Sequence, residues 1–224
     1  MNVLFDLDGT LTDPAEGIVR CIQHALATLR ISCPPDEELA RYIGPPLRET
    51  FISLCKSADH VFIERAIAIF RERFSTVGLF ENIPYSEVPS MLQRLSSDSY
   101  RLFVATSKPQ VFAERILQHF GLADHFEKIC GNDLEGNLDD KAELLRQLLV
   151  SRSLDPTETL MVGDRKHDVI AARRNGLISI GVTYGYGSPS ELTDAGVDYL
   201  CDSPNEVASL IFSANPSHRT EPPD

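Results

Sequence analysis

Between residue 81 and the last helical stretch, short apolar runs of strand length alternate with segments of helical periodicity, and no other feature restricts the possible folds as much. The runs lie at 102–105, 159–162, 178–182 and 197–200, with a weaker one near Ile129. Helical stretches fall at 89–97, 109–120, 141–150, 168–175 and 206–212, and Gly121 and Gly176 stand where two of them should stop. Parallel strands need a long crossover, so this order predicts an α/β fold with a doubly wound, mainly parallel sheet covered by helices on both faces. The opening run Val3-Leu4-Phe5 adds a strand at the other end of the chain.

The segment between that strand and residue 81 has a different rhythm. Ile18, Val19, Ile22, Ala25, Leu26 and Leu29 keep helical spacing over 14–30, with Asp13 placed to cap. Further helical stretches fall at 36–42, 46–56 and 59–77, and no strand pattern interrupts them. Residues 15–80 are therefore expected as an all-helical insertion, with 1–14 and 81–212 forming the α/β core. Residues 213–224 carry three prolines and few apolar side chains, which predicts a disordered tail.

The net charge of −12 on 224 residues opposes binding to a nucleic-acid polymer or an anionic membrane surface. Five dispersed cysteines, with no Cys-x-x-Cys pair, suggest neither a disulfide framework nor a zinc site. No basic segment leads into an apolar leader, and no apolar run approaches the ~18 residues of a membrane span. The expectation is a cytoplasmic protein, monomeric or weakly dimeric.

Open parallel sheets bind ligands at the carboxyl ends of their strands, and polar groups gather after these apolar runs. The first strand delivers Asp6 and Asp8, followed by Gly9 and Thr10; the second delivers Thr106, Ser107 and Lys108; the 159–162 run delivers Gly163, Asp164 and, four residues on, Asp168. Taken singly, Thr106 also fits a helix cap and Asp164 a turn. Lys141 opens a helix after Asp139 and Asp140, where a positive charge opposes the macrodipole unless it reaches an anion. Arg48, after Gly44-Pro45-Pro46, raises the same question among the inserted helices. A carboxylate nucleophile, a second carboxyl that exchanges protons, hydroxyls and a lysine are the parts of phosphoryl transfer through an aspartyl-phosphate. Oxygen-only ligands in an acidic cluster suit Mg²⁺, which would also reconcile Asp6 with Asp164.

Asp6-Leu7-Asp8-Gly9-Thr10, Thr106, Lys141 and Gly163-Asp164 with Asp168 resemble, in order, the four motifs of the haloacid dehalogenase-like hydrolases. The resemblance spans nearly the whole chain. It implies a Rossmann-like core with residues 15–80 as a helical cap, and an enzyme acting on a small phosphorylated metabolite. It also implies roles: Asp6 as nucleophile, Asp8 as the proton-transferring acid and base, and Thr106 and Lys141 on the phosphoryl oxygens. Mg²⁺ would be held by Asp6, the Asp8 backbone carbonyl and Asp164, with Asp168 behind them. Gly9, Thr10, Ser107, Lys108 and Arg48 are candidate substrate contacts. The second Asp speaks against dehalogenation.

Within that family the chain looks most like the bacterial 5′-nucleotidase-like phosphatases, relatives of the phosphoglycolate phosphatases. The likeness rests on Ile43-Gly44-Pro45-Pro46-Leu47-Arg48, Ala105-Thr106-Ser107-Lys108-Pro109, Gly163-Asp164-Arg165-Lys166-His167-Asp168 and Tyr184-Gly185-Tyr186-Gly187. Two departures stand out: Tyr85-Ser86-Glu87-Val88 replaces a Tyr-Pro-Gly type of turn, and Asp139-Asp140 make the approach to Lys141 unusually acidic. Nucleoside monophosphates are the expected substrates, with phosphoglycolate or another small phosphate ester as the alternative. A sugar phosphomutase and a non-catalytic binding module are the competing classes.

Overall fold

The computed structural model describes residues 1–133 and 140–214. β1 (Asn2–Phe5) lies in the middle of a six-stranded sheet, flanked by β4 (Arg101–Pro109) on one side and β6 (Thr159–Gly163) on the other. β5 (Lys128–Asn132) pairs outside β4, while β7 (Ile178–Val182) and then β8 (Tyr199–Cys201) extend the sheet beyond β6. Every neighbouring pair in this sheet is parallel. The chain winds outward from β1 through β4 and β5, then returns to β6 and winds the other way. That reversal opens a crevice at the carboxyl end of β1.

Alternation along β1 divides the core. Val3 and Phe5 join one buried cluster with α5 (Val88–Ser97), α6 (Gln110–His119) and α10 (Pro204–Ala214). Leu4 joins the opposite cluster with α7 (Lys141–Arg152) and α8 (Lys166–Arg174). Both faces are covered, so all four β1 residues are buried. A short α9 (Pro189–Asp194), which the sequence reading omits, follows β7.

β2 (Thr12–Asp13) and β3 (Ile83–Pro84) form a two-residue antiparallel ribbon. Between them run α1 (Ala15–Thr28), α2 (Asp36–Leu39), α3 (Leu47–Cys55) and α4 (His60–Arg73). Asp13 Oδ1 accepts from the Ala15 N–H at 3.0 Å, the capping contact expected for α1. The helix expected over 59–77 changes character at Arg73 and ends as a π turn, Phe74–Gly78. There α1 comes so close that a Cβ on Gly17 would lie 2.2 Å from the Gly78 oxygen. Their apolar residues, Ile22, Leu26, Phe51 and Phe70 among them, join the cluster that Val3 and Phe5 enter.

Two of the departures from the expected boundaries bear on the site and the tail. β4 does not stop at Ala105 but runs to Pro109, with a shift of register against β5 between those residues. α10 continues through Ser213 and Ala214, so the expected tail is shortened, and its remainder, 215–224, lies outside the described residues. Among the described residues no helix is long and apolar enough to cross a membrane.

Candidate active site

The β1 ladder extends one residue, with the Asp6 N–H donating to the Val162 oxygen at 2.9 Å, and then the chain curls back. The N–H groups of Leu11 and Thr12 both donate to the Leu7 oxygen, at 2.9 and 3.0 Å. The curl needs Gly9, whose φ is +84°; a Cβ there would stand 2.2 Å from Asp164 Oδ2. Asp6 and Asp164, from neighbouring strands, are thereby brought to one spot.

Asp168 completes it. One carboxylate oxygen from each of Asp6, Asp164 and Asp168 lies within 4.8 Å of the others. Lys141 Nζ sits 2.8 Å from Asp6 Oδ1 and also ion-pairs with Asp168 Oδ1. Asp168 Oδ2 accepts from the Arg165 N–H at 3.0 Å, capping α8. Asp164 Oδ2 accepts from the Tyr186 N–H at 2.8 Å, but Asp164 Oδ1 is buried with no partner among the described residues. An unmet buried acceptor in an all-oxygen donor set fits a hard divalent cation.

The charges press on one another. Burial, then the nearby charges of Asp168 and Asp6, push the Asp164 carboxyl up to about 8. Burial also raises Asp168, to about 6, although Lys141 works against it. Burial alone would lower the Lys141 ammonium, but the carboxylates of Asp168 and Asp6 outweigh it and hold the charge more firmly than usual.

Asp8 belongs to a separate pair. Its Oδ2 lies 2.8 Å from Lys108 Nζ, and its Oδ1 is buried and unpartnered among the described residues. Burial pushes its carboxyl up from the ordinary value, with Lys108 opposing. Lys108 Nζ stands 4.6 Å from the centroid of the Phe74 ring, in the π turn. Lys108 reaches this position because β4 continues past Ala105; Thr106 and Lys108 are buried, and Ser107 between them is exposed. The Lys108 N–H donates to Thr106 Oγ1 at 3.2 Å.

These groups face a cavity of about 550 Å³, bounded above by Ile18, Leu47, Phe70 and Phe74 of the inserted segment. Asp6, Asp8, Thr106, Ser107, Lys108, Lys141, Asp164 and Asp168 all line it. Arg48 lines it too, yet is half-exposed and ion-paired with Glu64. Gly9 and Thr10 are absent from the wall, so the structure does not bring these two expected substrate contacts to the cavity. Thr10 is fully buried, and its backbone oxygen accepts from the Tyr184 hydroxyl at 3.0 Å.

Of the acidic pair before Lys141, Asp139 lies outside the described residues. Asp140 caps α7, accepting from the Ala142 N–H at 2.9 Å, and pairs with Arg174 at 3.0 Å, so its charge is taken up away from Lys141. The unusual return segment is anchored by Tyr85, whose N–H donates to the Leu11 oxygen at 3.1 Å and whose ring meets Tyr184 edge-on.

Sequence reasoning gave two side chains no role. Arg165 donates from Nη1 to the Ile43 oxygen at 2.9 Å and from Nε to Glu191 at 2.9 Å, tying the carboxylate loop to the inserted segment. Gly44 beside it has φ +102°, and a Cβ there would come within 2.8 Å of Arg165 Nη1. Tyr186 donates its hydroxyl to Asp13. Both stand in segments that carry the family likeness, one beside Asp164 and the other between two glycines, but nothing in those segments names their partners.

A family model described as haloacid dehalogenase-like hydrolase matches residues 3–182. The chain is 47% identical over 200 residues to a 5′-nucleotidase of Pseudomonas aeruginosa, covering 89% of this chain and 90% of that protein. It is 39% identical over 187 residues to the tyrosine-protein kinase PtkA of Mycobacterium tuberculosis, covering 83% of this chain and 62% of that one. Among solved structures, the crystal structure of a predicted phosphatase from Clostridium acetobutylicum superposes with a TM-score of 0.89 at 40% identity, over 95% of this chain and 98% of that chain.

Proposed function

The chain belongs to the haloacid dehalogenase-like hydrolases as a phosphatase, and from that premise we propose that it hydrolyses small phosphomonoesters through an aspartyl-phosphate on Asp6, with Mg²⁺ as cofactor. The observation that carries this reading is the division of carboxylates into two sets. Asp6 shares a centre with Asp164, Asp168 and Lys141, whereas Asp8 turns to Lys108.

Asp6 attacks phosphorus while Lys141, 2.8 Å from its Oδ1, fixes the carboxylate and faces the phosphoryl oxygens together with Thr106. Asp8, whose raised pKa favours the protonated form, gives its proton to the departing oxygen. Left ionised beside Lys108, it then takes a proton from the water that attacks the phosphorus of the intermediate and frees Asp6. Asp6 and Asp164, with the Asp8 backbone carbonyl, would hold Mg²⁺, which when bound neutralises charge on the phosphoryl group. Asp168 keeps Lys141 oriented.

Residues 15–80 act as a cap over the core formed by 1–14 and 81–212, and the Arg165 contact to Ile43 supports that division. The substrates we assign are nucleoside 5′-monophosphates. A cavity of about 550 Å³ with an apolar roof suits a leaving group larger than two carbons, and the Pseudomonas relative carries the name 5′-nucleotidase. The dispersed cysteines and acidic charge favour a cytoplasmic setting.

The test is a panel of phosphate esters, nucleoside monophosphates and phosphoglycolate included, assayed with Mg²⁺ and with EDTA on the native chain and on Asp6→Asn. The expected result is Mg²⁺-dependent release of inorganic phosphate, highest on nucleoside monophosphates and lost in Asp6→Asn while the far-ultraviolet spectrum is kept. Turnover that survives the substitution overturns the nucleophile; indifference to EDTA overturns the cofactor.

A further inference from the structure

Six arginine and lysine side chains line the cavity, and five of them already have carboxylates. Arg48 pairs with Glu64, Lys108 with Asp8, Lys141 with Asp6 and Asp168, Arg165 with Glu191, and Arg174 with Asp140. Arg71 is the exception. It lines the wall from α4, its Nε is buried without a hydrogen-bond partner, and no carboxylate among the described residues pairs with it.

Its position on the helix decides which part of a substrate it meets. Arg71 and Phe74 are three residues apart and so share a face of the helix as it enters the π turn. The Phe74 ring stands over Lys108, and Lys108 is paired with Asp8. Sharing that face directs Arg71 toward the Lys108 and Asp8 side of the cavity, where on the proposed reading the leaving oxygen departs. A partly buried guanidinium without a counter-charge is costly, and its planar donors match a carboxylate or a phosphate edge.

We propose that Arg71 forms an anion subsite that binds a carboxylate or second phosphoryl group carried by the leaving alcohol, so that an ester with a negatively charged leaving group is turned over faster than its neutral counterpart of similar size. The inference rests on the phosphatase reading above and narrows it. A short hydroxy acid and an acid-bearing nucleoside supply the same chemistry.

Two matched pairs separate those sources: phosphoglycolate against 2-hydroxyethyl phosphate, and orotidine 5′-monophosphate against uridine 5′-monophosphate. kcat/KM is measured with Mg²⁺ for the native chain, Arg71→Gln and Arg71→Lys, with p-nitrophenyl phosphate as a neutral reference. In the native chain the acid member of at least one pair is expected to be favoured about tenfold or more, the scale of one charge-assisted contact. Arg71→Gln should erase that preference, mostly through KM, and leave p-nitrophenyl phosphate turnover within about twofold; Arg71→Lys should restore part of it. The first pair alone responding assigns a short acid, and the second an acidic nucleoside. No acid preference in either pair, or one that survives Arg71→Gln, overturns the subsite. If the native chain hydrolyses none of the five esters, the phosphatase reading fails instead. Calorimetric binding of phosphoglycolate and 2-hydroxyethyl phosphate to Asp6→Asn, with and without Arg71→Gln, then still judges the subsite: equal affinities in all four combinations overturn it.

Discussion

Tyr186 is tied to Asp13 through its hydroxyl, while its own backbone N–H donates to Asp164 Oδ2 at 2.8 Å. Asp13 in turn receives the first N–H of α1. One residue of the β7–α9 loop thus joins the carboxylate centre to the point where the inserted helices begin. Tyr186→Phe keeps the backbone bond and removes only the hydroxyl, so the expected loss is about 1 kcal/mol in denaturant unfolding. Unchanged stability would show that the Asp13 contact contributes nothing.

Asp164 and Asp168 make stability depend on pH and cation together. Their native values of about 8 and about 6 exceed the ~4 expected of each in the unfolded chain. Between those limits the metal-free native state binds more protons than the unfolded one, so its stability falls as pH rises through the window. A cation held by these carboxylates would displace the same protons, so the stabilisation by Mg²⁺ should grow over that interval. Melting temperatures in EDTA and in excess Mg²⁺, compared at about pH 6 and about pH 8, test both slopes. A Mg²⁺ increment larger at the lower pH contradicts this account.

Asp8→Asn removes the carboxyl proposed as proton donor, paired with Lys108, and leaves the Asp6 centre in place. The expected loss in kcat is ~10²–10⁴-fold for an alkyl phosphate and much smaller for p-nitrophenyl phosphate, whose leaving group needs little protonation. Equal losses on both esters would assign Asp8 to structure rather than proton transfer.

Gly9→Ala puts a methyl group where Asp164 Oδ2 lies 2.2 Å away, at a φ of +84°. Backbone strain alone costs ~1–3 kcal/mol, and Asp164 must move as well. Urea unfolding should show that loss, and Mg²⁺ titration by calorimetry should show weaker binding. Normal affinity in the variant would mean Asp164 is not needed to hold the cation.

Arg48→Ala separates the ion pair with Glu64 from the proposed contact with the leaving group. The ion pair with Glu64 is half-exposed, so stability should change by less than ~1 kcal/mol. If Arg48 also contacts the leaving group, KM rises for some esters and not for others; identical kinetics across the ester panel would leave it a surface residue.

The sequence made the sheet and much of the cavity floor legible because each relevant residue follows an apolar run or opens a helix. Asp6 and Thr106 stand one residue past such runs and Asp164 two, and Lys141 begins a helix. Lys108 was legible as a neighbour of the site but not as the partner of Asp8, since that depends on β4 continuing through a register shift that no periodicity encodes. The β2–β3 ribbon escaped notice for a related reason: two residues a side carry no pattern. Arg165 and Tyr186 act across 122 and 173 residues of chain, distances at which local spacing is silent. The motif does not convey that Gly9 makes room for Asp164 or that Thr10 is fully buried, since both depend on how the turn folds back.

The two-residue ribbon has a consequence for how such a protein can be altered. Asp13 and Ile83 face each other across it, so the inserted helices leave and rejoin the core at adjacent points, ~5 Å apart in an antiparallel pair. A segment with its ends so close can be exchanged for another without changing the order or direction of any strand in the sheet. A replacement must only bring an apolar underside to cover the faces now met by Ile22 and Phe70. On the proposed function, leaving-group preference and phosphoryl chemistry could then be recombined as separate cassettes.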